Sequence, residues 1–249
     1  MYPTLPIGPL RLQTYGLFLL AGFMAGLWLA ARTAQRRGLS GDHVYNLGFY
    51  ALLAGIVTAR LGHAVAYWEV YRTDPLQLLS LSPGALLPTA GLLGAVLVAA
   101  VYLRHYRLPA LTTLDSLALG ALLLLTIASL GAFVAGRSPG APSTAPWAVT
   151  VFGVPRHPVM LYEAAALVLL LGGLMWQEAR RPAPAGRIAL LAAFGYAAIR
   201  LFLEPLHTES VLMPGGWRLA QVLAWVGMIV TGWLLARTSP SVANKNAEL

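Results

Sequence analysis

Arg60, His63 and Tyr67 stand at i, i+3 and i+7 within an otherwise apolar run from about Tyr45 to Trp68. On a helix this spacing brings all three to one face. Counted at about 1.5 Å per residue, Arg60 lies roughly 12 Å inside the end of the run. A lone guanidinium at that depth costs at least about 2.5 kcal/mol, so it calls for a polar partner. Arg200 and Glu204 stand one helical turn apart, where a carboxylate can hold a guanidinium in orientation. Arg156-His157-Pro158 is followed by Tyr162-Glu163, and Arg137 closes a further apolar run. Guanidinium groups suit bidentate recognition of phosphate, and at membrane depth the abundant phosphate is that of a phospholipid headgroup. Each residue also has a plainer explanation. Arg60 can snorkel, Glu163 can favour a helix amino terminus, Glu204 can neutralise Arg200, and Arg137 and Arg156 can anchor at the interface. Their coincidence at one depth points to a pocket for an anionic lipid.

That depth follows from the elements carrying these residues. Apolar residues make up 58% of the chain and charged residues 10%, with a mean hydropathy of +0.68. These values describe an integral membrane protein. Runs able to cross a hydrocarbon core of about 30 Å lie at about 14–33, 45–68, 84–103, 114–136, 158–177, 187–203 and 217–236. The expectation is an all-α bundle of seven transmembrane helices, one polytopic membrane domain over 1–237 and a disordered cytoplasmic tail over 238–249. Arg32, Arg36, Arg37, Arg104, Arg107, Arg180, Arg181, Arg187, Arg237 and Lys245 fall on one side. Arg11, Arg72, Arg137, Arg156 and Arg218 fall on the other. The bias places the amino terminus outside and the carboxyl terminus in the cytoplasm. A secretory signal peptide would carry its charge before its apolar run, so the first run reads as a retained helix. In this topology Arg60, His63, Arg137, Arg156, His157, Tyr162, Glu163, Arg200 and Glu204 share the outer side, and the cytoplasmic halves of the spans hold no comparable set.

The formal charge of +8 is distributed in short clusters between apolar runs, which fits topology and gives no continuous face for nucleic acid. With no cysteine, a disulfide or thiolate metal site is excluded and any thiol chemistry must use a substrate thiol. Lys245, the sole lysine, lies in the tail, which excludes a retinal Schiff base. A charged set at one depth, with no path of charges across the membrane, disfavours a channel or transporter. No metal or cofactor site is indicated.

In order, these residues resemble the bacterial prolipoprotein diacylglyceryl transferase family over about 9–236. Tyr15-Gly16 is similar to the family's opening motif, and Ala59-Arg60-Leu61-Gly62-His63 with Tyr67 to its second-helix motif. Arg156-His157-Pro158 with Leu161-Tyr162-Glu163 resembles its Arg-His-Pro-Ser-Gln-Leu-Tyr-Glu stretch, and Gly195-Tyr196 with Arg200 and Glu204 its sixth helix. The resemblance implies a seven-helix bundle, reached sideways by lipid, in the bacterial cytoplasmic membrane. Its implied reaction moves diacylglyceryl from phosphatidylglycerol to the lipobox cysteine of a prolipoprotein and releases glycerol phosphate. Phosphatidylglycerol, or a similar anionic phospholipid, and a prolipoprotein signal segment are the implied partners. By the same resemblance Arg200, Glu204 and Tyr15 are catalytic candidates. Arg60, His63, Arg137, Arg200, His157, Tyr162 and Glu163 are phospholipid-binding candidates, with one phosphate shared by Arg60 and Arg200.

Two departures bear on mechanism. Thr89, in Pro88-Thr89-Ala90-Gly91, occupies the position of the family's His-Gly-Gly histidine. The family's signature reads here as Ala128-Ser129-Leu130-Gly131-Ala132-Phe133-Val134-Ala135-Gly136-Arg137, without its arginine and asparagines. Ser129 and Arg137 are about 80° apart around a helix, which makes Arg137 the candidate for the lost positive charge. The general base is left unassigned. A divergent transferase is the first reading; a catalytically impaired relative that binds lipid or lipoprotein, or another lipid-headgroup transferase, are the alternatives.

Overall fold

The computed structural model describes residues 3–7, 10–74, 76, 86–151, 153–208 and 210–238. A hairpin of β1 (Thr4–Ile7) and β2 (Leu10–Gln13) leads into α1 (Thr14–Arg36) and α2 (Gly41–Ala66). The short α3 (Trp68–Thr73) follows, then α4 (Pro88–His105) and α5 (Ala110–Ala135). A second hairpin, β3 (Val149–Val151) with β4 (Val154–Arg156), precedes α6 (Val159–Arg180), α7 (Arg187–Leu203) and α8 (Leu219–Arg237). Seven of the helices, all but α3, are long and apolar enough to cross a membrane. The two hairpins are additions to the expected all-helical fold. Of the tail expected to be disordered, only Thr238 lies among the described residues; it caps α8.

The sequence explains where the helices meet. α5 is the central element, packed on α1, α6 and α7. Leu29 of α1, Leu119 and Leu122 of α5, Leu167, Leu171 and Leu174 of α6, and Ile188 and Ala192 of α7 form the main apolar core. Lipid tails are as apolar as leucine, so helices in a membrane gain little by hiding leucine from lipid and more by close backbone approach. Gly26 of α1 and Gly120 of α5 provide that approach. A Cβ on Gly26 would sit 2.6 Å from the Gly120 carbonyl oxygen, and one on Gly120 2.4 Å from that of Gly26. α4 packs mainly on α2, and α8 on α7. Both keep large apolar side chains outward, among them Leu92, Leu93 and Leu97 on α4 and Leu223, Ile229 and Trp233 on α8. Such faces suit hydrocarbon.

The expected second helix is modified at its end. α2 stops at Ala66, and Tyr67 leaves helical geometry with φ −119° before α3 begins. The ring of Tyr67 still lies 4.5 Å from that of His63, centroid to centroid.

Candidate functional site

α5 ends where Gly136 adopts a left-handed conformation, φ 70°. The backbone N–H of Arg137 then reaches the Ala132 carbonyl at 2.8 Å, the closing pattern that favours glycine at this position. The turn delivers Arg137 to the rim of a cavity of about 290 Å³, lined by Tyr15, Ser129, Ala132, Arg137, Glu163, Tyr196 and Arg200 among others. The Arg137 guanidinium lies over the Tyr15 ring, 4.6 Å from its centroid, a cation–π contact that fixes both side chains.

Arg200 enters the same cavity from the last turn of α7. Its Nη2 donates to Glu204 Oε2 at 2.5 Å and its Nη1 to Glu163 Oε2 at 3.4 Å. The α7 helix ends here because Pro205 has no N–H to continue it and a 3₁₀ turn, Glu204–Leu206, takes over. Glu204 is buried, and its Oε1 accepts from Ser210 Oγ at 2.8 Å. Arg218, just before α8, donates to the Glu204 and His207 carbonyls, each at 2.7 Å. Glu163 is buried in the second turn of α6 and is also bonded by the Ser129 side chain. Two guanidinium groups therefore face one cavity, with Arg200 held from behind by carboxylates.

The α5–α6 loop is tied to this floor. Gly140 bridges to His207, and the Ala141 N–H donates to the Leu206 carbonyl at 2.8 Å. A Cβ on Gly140 would meet the His157 carbonyl oxygen at 2.2 Å, so only glycine fits. Arg156 Nη1 donates to the Gly140 carbonyl at 3.0 Å, which makes Arg156 a brace for the loop.

The structure thus gathers Tyr15, Arg137, Glu163 and Arg200 around one cavity, with Glu204 directly behind. Arg60 and His63 belong to a different group and do not line it. There the Arg60 guanidinium lies 6.0 Å from the Tyr71 ring centroid, and His63 Nδ1 is 2.9 Å from the Tyr71 hydroxyl. His157 and Tyr162 form a third group, Nδ1 to hydroxyl 3.3 Å, with Trp147 Nε1 donating to the same hydroxyl at 2.7 Å. His157 also lines a separate groove of about 400 Å³ with Pro142, Ser143, Thr144, Val154 and Pro155. Thr89 is exposed in the first turn of α4. His207 escapes sequence reasoning because it follows Pro205 in a loop with no periodic context. In the structure it is buried, with Nε2 3.4 Å from Arg200 Nη1.

The expectation that the opposite ends of the spans hold no comparable charges is corrected. Arg37 pairs with Asp115 at 2.6 Å and with Glu178 at 2.7 Å, and Asp115 is fully buried. The lone acidic residue near the start of an apolar run was the available signal.

Comparison with known proteins gives concordant results. A phosphatidylglycerol–prolipoprotein diacylglyceryl transferase of Clostridioides difficile (strain 630) is 30% identical over 235 residues, covering 93% of this chain and 92% of the relative. One from Bordetella avium (strain 197N) is 33% identical over 251 residues, covering 94% of each. One from Pseudoalteromonas atlantica is 32% identical over 202 residues, covering 80% of this chain and 72% of the relative. The family model for prolipoprotein diacylglyceryl transferase matches residues 3–237, and with that match spanning nearly the whole chain, the protein belongs to the prolipoprotein diacylglyceryl transferase family.

Proposed function

We propose that the chain transfers diacylglyceryl from phosphatidylglycerol to a lipobox cysteine, with the lipid phosphate held between Arg137 and Arg200. The observation that carries this reading is the convergence of both guanidinium groups on one cavity, with Glu163 and Glu204 fixing Arg200. A thiol attacks the glycerol carbon bearing the phosphate ester, and the leaving phosphate gathers negative charge. Cations that bind the phosphate more tightly as it leaves lower the barrier. Arg137, delivered by the Gly136 turn, stands where it can replace the charge lost at Ser129. Tyr15 positions Arg137 through its ring, and Glu204 positions Arg200. Arg60 with His63 forms a second basic group open to the headgroup, and the His157–Tyr162 pair borders the groove offered to the acceptor segment.

In this reading the chain is a single membrane domain of the bacterial cytoplasmic membrane, amino terminus outside and cavity toward the outer face. Single cysteines introduced at Gln35 and Gln177 should react with impermeant thiol reagents only after the inner face is exposed. Those at Thr73 and Ser143 should react from outside, and the reverse pattern overturns the orientation.

The function is tested with purified chain, phosphatidylglycerol and a lipobox peptide, following release of glycerol phosphate and the gain of lipid on the peptide. Both products are expected, and both vanish with a Cys→Ser peptide. One observation favours the second reading, an impaired relative that binds lipid or lipoprotein: no histidine lines the cavity and Thr89 is exposed. Phosphatidylglycerol binding without either product would select it.

A further inference from the structure

His207 stands immediately behind the Arg200 cavity. Its side chain is 8% exposed, with Nε2 3.9 Å from Glu163 Oε2 and 3.4 Å from Arg200 Nη1. A guanidinium nitrogen has only hydrogens to offer, so contact with Arg200 requires a lone pair on Nε2. That is the neutral tautomer, with the proton on Nδ1. Burial pushes the His207 imidazole below its usual value; nearby Arg200 and Arg218 act in the same direction, against Glu204. The groups facing it are Arg200 from α7, Glu163 from α6, Glu204 from the 3₁₀ turn and Arg218 from the segment before α8. Its backbone is fixed twice, by the bridge to Gly140 and by Arg218 at its carbonyl. The resting site therefore holds an uncharged imidazole whose Nε2 lone pair faces the phosphate-facing arginine, with the Glu163 carboxylate 3.9 Å from the same nitrogen.

We propose that His207 is the final proton acceptor of the transfer step, taking the thiol proton from Glu163 and not from the thiol itself. The inference rests on the transferase reading above. In the step, a sulfur lone pair forms the carbon–sulfur bond to the glycerol carbon. The carbon–oxygen bond to phosphate breaks, leaving its electron pair on the phosphate oxygen. The thiol proton passes to Glu163 Oε2; as the phosphate draws Arg200 Nη1 off the Nε2 lone pair, the 3.9 Å gap between Glu163 Oε2 and His207 Nε2 closes and the proton moves on to the ring, from which it later returns to the departing glycerol phosphate or to water. At rest a cation beside Arg200 is disfavoured. It becomes favourable as negative charge grows on the phosphate between Arg137 and Arg200. A positive charge thus appears in the transition state, which is where charge stabilisation accelerates a reaction. The neutral histidine supplies for the duration of the step both functions missing from the chain, a base and a further cation.

His207→Gln keeps a neutral hydrogen-bonding group in place without basicity. Its kcat should fall at least about a hundredfold, while KM for phosphatidylglycerol stays within about threefold and the acid limb of kcat against pH disappears. Imidazole in the buffer should restore part of the rate of His207→Gly. A His207→Gln chain as fast as the native one, with the same acid limb, overturns the proposal. So does an equal loss of lipid binding and thermal stability in this variant, because that marks a purely structural role. Nitrogen-15 NMR of the His207 ring gives a readout independent of turnover. The free chain should show the neutral Nδ1–H tautomer at neutral pH, and saturation with glycerol 3-phosphate should place a proton on Nε2. A native chain that binds phosphatidylglycerol and forms no product defeats the transferase reading. A His207 ring that gains no proton on phosphate binding defeats this one.

Discussion

The two ends of the bundle each bury a cluster of arginine and carboxylate, and the clusters differ in what is left over. At one end Asp115 Oδ2 accepts from Arg37 Nη1 at 2.6 Å and from the Gly186 N–H at 2.8 Å, while Oδ1 accepts from the Ala189 N–H at 2.8 Å. Gly186 is the N-cap of α7, so Asp115 caps α7 from α5, satisfying N–H groups the helix cannot satisfy itself. Arg37 extends the staple to Glu178 of α6. A cavity of about 330 Å³ opens beside it, but its lining carries Arg36 and Arg37 against Glu178, with Asp115 balancing the charge. At the other end Arg200 pairs with Glu163 and Glu204, Arg218 donates to the Glu204 backbone carbonyl, and Arg137, over the Tyr15 ring, shows the cavity no carboxylate of its own among the described contacts. One end is closed on itself. The other has a positive surplus aimed into a cavity, and a surplus of that kind awaits an anion.

Substitution should separate the two. Arg200→Lys replaces a fork with a point charge and should lower transfer about 10²- to 10³-fold, the scale of losing one transition-state donor. Its thermal midpoint should stay close to native, because Glu163 and Glu204 keep a cation between them. Asp115→Ala should behave oppositely. Removing one partner of a buried pair costs about 3–5 kcal/mol, and the uncapped α7 adds to the loss, yet activity per folded molecule should remain within about twofold. Denaturation in detergent paired with the transfer assay checks both. Stability loss in Arg200→Lys matching that in Asp115→Ala would erase the distinction between the ends.

A smaller gain should sharpen it. Ser129 and Ala132 line the Arg200 cavity, and the Ser129 side chain bonds Glu163. Ser129→Arg with Ala132→Asn and Thr89→His returns the family's residue types to those positions and should raise transfer at least about tenfold, well within what a general base contributes. Because Ser129 already faces the cavity and Thr89 is exposed, most of the gain should come from the Ser129 and Ala132 changes. An unaltered rate in the triple variant would mean that Arg137 and His207 already supply what those positions lack.

The Arg200 cluster was partly legible because its strongest pair is local: Arg200 and Glu204 are four residues apart and their contact follows from helical periodicity. The seven spans were legible for a similar reason, since length and apolarity suffice. The Asp115 staple joins residues 78 and 71 positions apart, Arg37 to Asp115 and Asp115 to Gly186, and no spacing rule connects them. Arg156 reads in sequence as a site candidate and is spent on a loop carbonyl. Arg60, the most conspicuous charge in the sequence, joins Tyr71 and does not line the Arg200 cavity. Depth in the membrane identifies which charges need partners. Which partners they find depends on packing between helices far apart in the chain.

The smallest expected effect distinguishes a neutral buried histidine from the ion pairs around it. His207 lies just beyond the span that ends at Leu206, and its folded value is lowered by burial first and by Arg200 next. In the unfolded chain the same imidazole titrates near about 6.5. Between that value and the lower folded one the unfolded chain binds the extra proton, so stability rises with pH and falls as pH drops through the window. One proton limits the slope to about 1.4 kcal/mol per pH unit. Native chain should therefore lose stability from pH 7 downward more steeply than His207→Gln, and the two should run parallel above pH 7, where both side chains are neutral in either state. The Asp115 variant should keep the native difference, since its staple lies at the other end of the bundle. Parallel curves for native and His207→Gln through the whole acid range would show that folding leaves the His207 imidazole unshifted, and a native curve that gains on His207→Gln as pH falls would show that the Arg200 cluster carries His207 charged at rest, leaving it no room for a further proton.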